Sequence, residues 1–235
     1  MRGGIIAAGE GSRFRAAGIL TPKPLLRVGG VALVERTARM LAAAGVDEIA
    51  VIVNQEMADV AEFIMRLELP ARMHVVVQTT ASSMHSLLAL APFLKGGRFI
   101  LATVDTIVAP EEVIGFVRSF RDRDEVDVLL GCTDHVDDEK PLRIAMDDRG
   151  RVTALGAAAE TSPFVTAGLY GMNPAVFEYE EQARREGTDR LRNFLGLLLR
   201  SRMAVYGHQL GHAVDVDRPE DLLAAEALVS HRERA

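Results

Sequence analysis

Tryptophan is absent, cysteine occurs once, lysine three times, and aromatic side chains make up only 5% of the chain. Each shortage removes a class of protein. Cys132 has no partner for an intramolecular disulfide, so a disulfide scaffold is excluded and a cytoplasmic location is the default expectation. Nucleic-acid binding usually needs a basic, extended surface interleaved with aromatics; a chain of net charge −6 with so few rings offers neither, so no nucleic-acid partner is expected. No apolar run approaches the roughly 18 to 20 residues of a membrane-spanning helix. The run Gly3–Gly9 is short and lacks a signal peptide's cleavage region, so no membrane association is expected. What is present, 235 residues of which 49% are apolar, suits one domain over 1–235 with a sizeable core.

The basic residues are unevenly chosen and unevenly placed. Of the 27, 24 are arginine, and only Lys23, Lys95 and Lys140 are lysine. Residues 1–39 carry Arg2, Arg13, Arg15, Lys23, Arg27, Arg36 and Arg39 against Glu10 and Glu35, a local +5 on a remainder of −11. A positive segment on a negative protein points to a small anionic ligand held at one place.

Short apolar runs alternate with amphipathic stretches through the first half: Gly3–Ala8, Leu33–Ala44, Ile49–Asn54, Met57–Arg66, Met73–Gln78, Met84–Leu94, Arg98–Val104 and Glu111–Arg121. That rhythm predicts strands and helices in turn, hence a mostly parallel sheet covered on both faces, a three-layer α/β/α Rossmann-like domain. A further strand is expected at Asp127–Cys132. Arg143–Met146 and Arg151–Leu155 are joined by Asp147-Asp148-Arg149-Gly150, whose Asp and Gly content suits a hairpin, so an antiparallel insertion is expected around 140–170. Helices are expected at Pro174–Arg185 and Asp189–Arg202, a strand at Met203–Leu210, and a closing helix at Arg218–Val229 with Pro219 in its first turn. His231–Ala235 reads as a frayed tail.

The strongest local signal is Gly4-Ile5-Ile6-Ala7-Ala8-Gly9-Glu10-Gly11-Ser12-Arg13, followed by Pro22-Lys23-Pro24-Leu25. An apolar strand running into Gly9, Gly11 and Ser12 forms a turn whose backbone N–H groups can reach phosphate oxygens. Arg13 adds a planar fork for polyphosphate and Lys23 a compact mobile charge. The spacing does not match Gly-x-x-x-x-Gly-Lys-Ser/Thr, and Phe14 stands where Gly-x-Gly-x-x-Gly needs its third glycine, so neither a P-loop nor a dinucleotide loop is present.

These two segments resemble the signature of the sugar-1-phosphate nucleotidyltransferases, Leu-Ala-Ala/Gly-Gly-x-Gly-Ser/Thr-Arg followed after a spacer by Pro-Lys-Pro/Ala-Leu/Met. The resemblance extends from Gly4 to Glu226 and implies a nucleoside triphosphate and a phosphorylated small-molecule acceptor, most readily a sugar 1-phosphate, as partners. It implies nucleotide binding by Ala7, Ala8, Gly9, Glu10, Gly11 and Ser12, and catalysis by Arg13 and Lys23. A homo-oligomeric state is left open.

Nucleotidyl transfer of this kind uses a divalent cation, and Mg²⁺ is typically held by one or two carboxylates with phosphates and water. Asp105 ends the apolar run Phe99–Val104, where open α/β sheets bind ligands. Asp215-Val216-Asp217-Arg218-Pro219-Glu220-Asp221-Leu222 resembles the family's C-terminal acidic motif. Period two puts Asp215 and Asp217 on one side of an extended segment, so both are metal candidates. The resemblance favours Asp215 as the ligand and leaves Asp217 to cap the closing helix.

Gln78-Thr79-Thr80-Ala81-Ser82-Ser83 falls where the family recognises its base, which implicates Gln78 and Ser83; the same polar cluster suits an N-cap for Met84–Leu94. The Ser-x-x-Ser-Leu pattern of Ser83–Leu87 also resembles the phosphocholine cytidylyltransferase branch, so a cytidylyltransferase for an amino-alcohol phosphate or phosphonate is the alternative, and a non-catalytic nucleotide-sugar-binding sensor on the same fold is a second. Val165-Thr166-Ala167-Gly168-Leu169-Tyr170 resembles the strand lining the acceptor pocket, which implicates Gly168, while Tyr170 suits the core equally. The family's Glu-Lys-Pro is replaced by Ala157-Ala158-Ala159-Glu160. Asp137-Asp138-Glu139-Lys140-Pro141 reads as a solvated charged loop, the six histidines show no metal-ligand spacing, and Cys132 reads as a small core residue.

Overall fold

Continuous burial along the apolar strands builds a core on each side of one sheet. The computed structural model describes residues 1–135 and 141–232; Asp137-Asp138-Glu139-Lys140, expected as a charged loop, and the last three residues of the chain lie outside the described residues. The first half runs β1 (Arg2–Ala7), α1 (Ser12–Ala16), β2 (Arg27–Val28), β3 (Val31–Ala32), α2 (Leu33–Ala43), β4 (Glu48–Val53), α3 (Ala58–Met65), β5 (Arg72–Val77), α4 (Ser83–Leu94), β6 (Phe99–Thr103), β7 (Thr106–Val108), α5 (Pro110–Arg121) and β8 (Val128–Thr133). The second half runs β9 (Ile144–Met146), β10 (Val152–Leu155), β11 (Val165–Met172), α6 (Glu180–Arg185), α7 (Leu191–Arg200), β12 (Val205–Gln209), β13 (Ala213–Asp215) and α8 (Asp221–Arg232).

Among the described residues, seven strands form the main sheet in the order β12-β8-β11-β6-β1-β4-β5, with β11 antiparallel to both neighbours and the other pairs parallel. Side chains of a strand point alternately to opposite faces. Ile5, Ile49, Val51, Ile100 and Ala102 therefore pack with α2, α3 and α5, while Ile6, Ala50, Ile52, Phe99 and Leu101 pack with α4 and α7. This is the expected three-layer α/β/α arrangement. Cys132 is buried in the second of these cores, where desolvation pushes its thiol up to about 12.

The chain passes from β1 through β4 to β5 on one side, then returns across β1 to place β6 on the other. The reversal between β1 and β6 leaves a crevice at their carboxyl ends, the usual ligand position in open α/β sheets.

The antiparallel insertion has two parts. The β9–β10 hairpin closes through the expected turn, with Asp147 Oδ1 accepting from the backbone N–H of Arg149 and Arg151, and forms its own two-stranded sheet. Strand β11 then enters the main sheet between β6 and β8.

Several expected boundaries move. The helix expected over 174–185 splits into a 3-10 turn, Pro174–Tyr179, and α6. The closing helix starts at Asp221, so Pro219 lies in the turn ahead of it. Its start is organised by Asp221 Oδ2, which accepts from the backbone N–H of Asp217 (2.8 Å) and Arg218 (2.6 Å). Asp217 therefore does not provide the expected cap. The same helix continues to Arg232, through part of the expected frayed tail.

Two measurements probe this packing. A Cβ on Gly171 would lie 2.6 to 2.9 Å from three ring atoms of Phe120, whose ring also carries the Arg98 guanidinium at 3.9 Å from its centroid. Gly171→Ala is expected to lower stability by about 1–3 kcal/mol, read as a lower urea midpoint with an unchanged slope. His208, half-buried and edge-on to Phe116 at 5.6 Å, is held below its ordinary 6.5 by desolvation and Arg123 against the opposing pull of Glu112. The unfolded chain protonates it first, so its contribution is complete above about pH 6.5 and is lost as pH falls toward the folded value. Thermal unfolding between pH 8 and pH 5 is expected to show this loss in the parent chain and less of it in His208→Gln.

Candidate active site

The glycine-rich segment leaves the carboxyl end of β1 and turns at Gly11, whose φ of +61° is a left-handed conformation that glycine adopts without strain. A Cβ there would also approach Lys23 Cβ at 3.2 Å. Phe14, 1% exposed, anchors α1. Gly18 N–H to Arg15 O (3.0 Å) and Ile19 N–H to Phe14 O (2.9 Å) form a Schellman motif at its end. The chain then comes back through Pro22 into a 3-10 turn, Lys23–Leu25, with Pro24 buried. Two prolines with fixed φ hold Lys23 in place and direct its side chain, 10% exposed, into the crevice.

A second small sheet brings the distant carboxylates to the same place. Strands β7 and β13 pair antiparallel, Asp215 opposite Thr106, and Val216 N–H donates to Asp105 O at 3.0 Å. Lys23 Nζ donates to Asp105 Oδ2 at 2.7 Å and to Asp217 Oδ1 at 2.6 Å, and Arg13 donates to Asp217 Oδ2 at 2.9 Å. Desolvation alone would lower the Lys23 pKa, but the charges of Asp105 and Asp217 outweigh it and raise it. Desolvation would likewise raise Asp105, but Lys23, with a hydrogen bond from Thr103, outweighs it and holds this carboxyl below its ordinary range.

These groups border a cleft of about 400 Å³ lined by Gly9, Gly11, Ser12, Arg13, Lys23, Ser83, Asp105 and Asp217, together with Ile6, Pro24, Thr103 and Val104. No heavy atom lies within 4 Å of where a Gly9 Cβ would be, so the loop is open on that side. The other candidates fall elsewhere. Ala7 is buried in β1, Glu10 and Gln78 are exposed and do not line the cleft, and Asp215 lines a small neighbouring cavity with Thr133 and Thr166. Ala8 is half-buried beside the loop, and Gly168 lies buried in β11. Ser82 and Ser83 do not form the expected cap on α4. Ser82 Oγ contacts Asp189 O and His85 Nδ1 instead, and Ser83 Oγ accepts from Leu191 N–H at 3.2 Å, which ties α4 to the start of α7.

Thr103, Val104, Ile6 and Pro24 escaped the site reading because each sits inside an apolar or conformational pattern. Thr103, the last residue of β6 and two residues ahead of Asp105, had the clearest signal. A larger recess of about 770 Å³ lies by α7 and the β9–β10 hairpin, but its Arg143, Arg192 and Arg200 are mixed with Glu160 and Glu186, and it contains neither half of the glycine–lysine motif.

Asp105 and Asp217 supply hard oxygen donors beside a loop with free space for phosphates. Among the described residues no group of three or more His, Cys, Asp or Glu forms a metal cage. Two carboxylates suffice for Mg²⁺ where phosphates and water complete the octahedron, so the donor set fits that ion.

Residues 3–192 match the model of the MobA-like NTP transferase domain. A bifunctional IPC transferase and DIPP synthase from Rubrobacter xylanophilus is 33% identical over 96% of this chain, which spans about half (51%) of that protein's length. The inositol-1-phosphate CTP transferase of T. maritima superposes with a TM-score of 0.82 at 21% identity, covering 97% of this chain and 94% of the other. A Bacillus anthracis structure assigned as a glucose-1-phosphate thymidylyltransferase gives 0.84 at 20% identity with the same coverages. Both structures share the fold.

Lys23→Met leaves Asp105 and Asp217 facing each other without their shared cation. Because Asp217 remains open to solvent, a loss of about 1–2 kcal/mol is expected rather than the larger cost of a fully buried pair. Thermal unfolding without metal checks this, and added Mg²⁺ is expected to raise the variant's midpoint more than the parent's, since the cation binds only the folded state.

Proposed function

The chain belongs to the MobA-like NTP transferase domain family, and on that premise we propose that it joins a nucleoside triphosphate to a phosphorylated small-molecule acceptor, most readily a sugar 1-phosphate. The observation that carries the reading is the Lys23 ammonium bridging Asp105 and Asp217 beside the open glycine loop. A phosphate oxygen of the acceptor attacks the α-phosphorus in line. The bond from that phosphorus to the bridging oxygen of the β-phosphate breaks, and pyrophosphate leaves with the electron pair. Such transfer rests on positioning and charge neutralisation and needs no covalent enzyme intermediate.

Arg13 and the backbone of Gly9–Ser12 hold the departing pyrophosphate. Lys23, compact and fully charged, sits between the two phosphates that must meet and reduces their repulsion. Asp105 and Asp217 are the residues that would hold Mg²⁺, with Asp215 in the neighbouring cavity a third candidate; when bound, that ion neutralises phosphate charge. Ser83, on the cleft wall, faces the nucleotide.

A second reading concerns the base and the acceptor: CTP with inositol 1-phosphate or an amino-alcohol phosphate. It is supported by the Ser83–Leu87 pattern and by what the T. maritima neighbour acts on.

One panel separates the readings. Four triphosphates are offered with several sugar phosphates, inositol 1-phosphate and phosphocholine, and metal-dependent pyrophosphate release is measured. Turnover is expected only when triphosphate and acceptor are both present, and Lys23→Ala is expected to lower it by about 10²-fold or more. Nucleotide binding without pyrophosphate release for any pair would replace the enzyme with a sensor.

A further inference from the structure

The described residues contain a hydroxyl pair that connects the acidic groups and that no part of the mechanism above uses. Thr106 Oγ1 donates to Asp215 Oδ1 at 2.7 Å, and Thr103 Oγ1 lies 3.1 Å from Thr106 Oγ1. Thr103 also hydrogen-bonds Asp105. The four side chains thus form one run, Asp105, Thr103, Thr106 and Asp215, across the gap between the carboxyl end of β6 and the β7–β13 pair. Two hydroxyl protons are available for three contacts, so the single Thr103 proton is shared between Thr106 and Asp105. Thr106 commits its proton to Asp215, so at the contact with Thr103 it can only accept.

Gly168 makes room for this pair. It is buried in β11 at a φ of +61°, where the pairing of β11 with β8 is irregular between Thr166 and Tyr170. A Cβ at this position would overlap both hydroxyl oxygens. The left-handed backbone and the missing side chain are therefore both needed for the hydroxyls to sit where they do.

We propose that Thr103 and Thr106, accommodated by Gly168, are positioning residues that fix the carboxylate of Asp215 relative to Asp105. The inference rests on the reading of these aspartates as the cation-binding side of the site, and it assigns Gly168 a role in shaping that side. Outer groups that orient metal-binding side chains typically contribute about 10- to 100-fold in metal affinity.

The test uses the full chain with Mn²⁺ as the probe in the presence of nucleotide, with free Mn²⁺ followed by electron paramagnetic resonance and folding followed by circular dichroism. Thr106→Val keeps the shape and removes the hydroxyl, and it is expected to weaken Mn²⁺ binding about 10-fold or more. Thr106→Ser is expected to restore the affinity. Gly168→Ala is expected to reproduce the loss, and the double variant Gly168→Ala/Thr106→Val to lose no more than either alone, because both act on one contact. A folded Thr106→Val that binds Mn²⁺ like the parent overturns the proposal, as does a Thr106→Ser that fails to recover. If the parent chain itself binds no Mn²⁺, the cation-site reading falls and takes this proposal with it; if only the variants match the parent, the positioning role alone is lost.

Discussion

One ammonium group, Lys23 Nζ, joins parts of the chain that lie 82 and 194 residues away, Asp105 and Asp217. Without a cation between them, two carboxylates directed into one partly desolvated cleft would repel, and one of them would protonate or turn out to water. With the lysine in place, the Asp105 carboxyl is held below its ordinary range and the loop, the end of β6 and the end of β13 share one geometry. The proposed chemistry needs the same charges in a different pairing. Asp105 and Asp217 would hold a divalent cation, which would leave Lys23 to phosphate. The salt bridges of the free protein thus keep the acidic and basic groups ready without leaving either sign unmatched.

The remainder of the fold serves to hold those three segments. The sheet reverses direction between β1 and β6, so the glycine loop and Asp105 emerge side by side. Parallel strands buried on both faces make that edge rigid, and the β7–β13 pair fastens the C-terminal acidic segment to it. Glycine contributes at two places for the same reason. At Gly11 and at Gly168 the backbone is left-handed and a neighbouring side chain, Lys23 in one case and the threonine pair in the other, occupies the space a Cβ would take. Of the positive N-terminal segment, only Arg13 and Lys23 line the cleft. Arg2 bonds Phe93 O, Arg36 bonds Val28 O and Arg39 pairs with Glu35, all of them structural contacts.

The parts legible in the sequence were those whose signal is continuous along the chain. The apolar stretches within Ile49–Asn54 and Arg98–Val104 announced buried strands, because a sheet covered on both faces takes apolar side chains on both sides. Gly9, Gly11, Ser12 and Arg13, then Pro22-Lys23-Pro24, announced the phosphate-facing loop, because turn chemistry and charge there lie within about two dozen residues. The three-residue strands β7 and β13 were too short for a period to register. Missing that pairing left Asp217 assigned to a helix cap, when its carboxylate in fact meets Lys23 and Arg13.

By itself, then, the sequence determined the layered α/β class and which residue types would supply phosphate contacts and carboxylates, since both follow from local periodicity and local chemistry. Only the tertiary structure decided which carboxylates meet the lysine, that Asp217 rather than Asp215 lines its cleft, and that Gly168 shelters the hydroxyls of Thr103 and Thr106. Those outcomes depend on where separate segments cross in space. A residue's neighbours across a sheet are set by strand order and register, which short strands do not encode in their own residues.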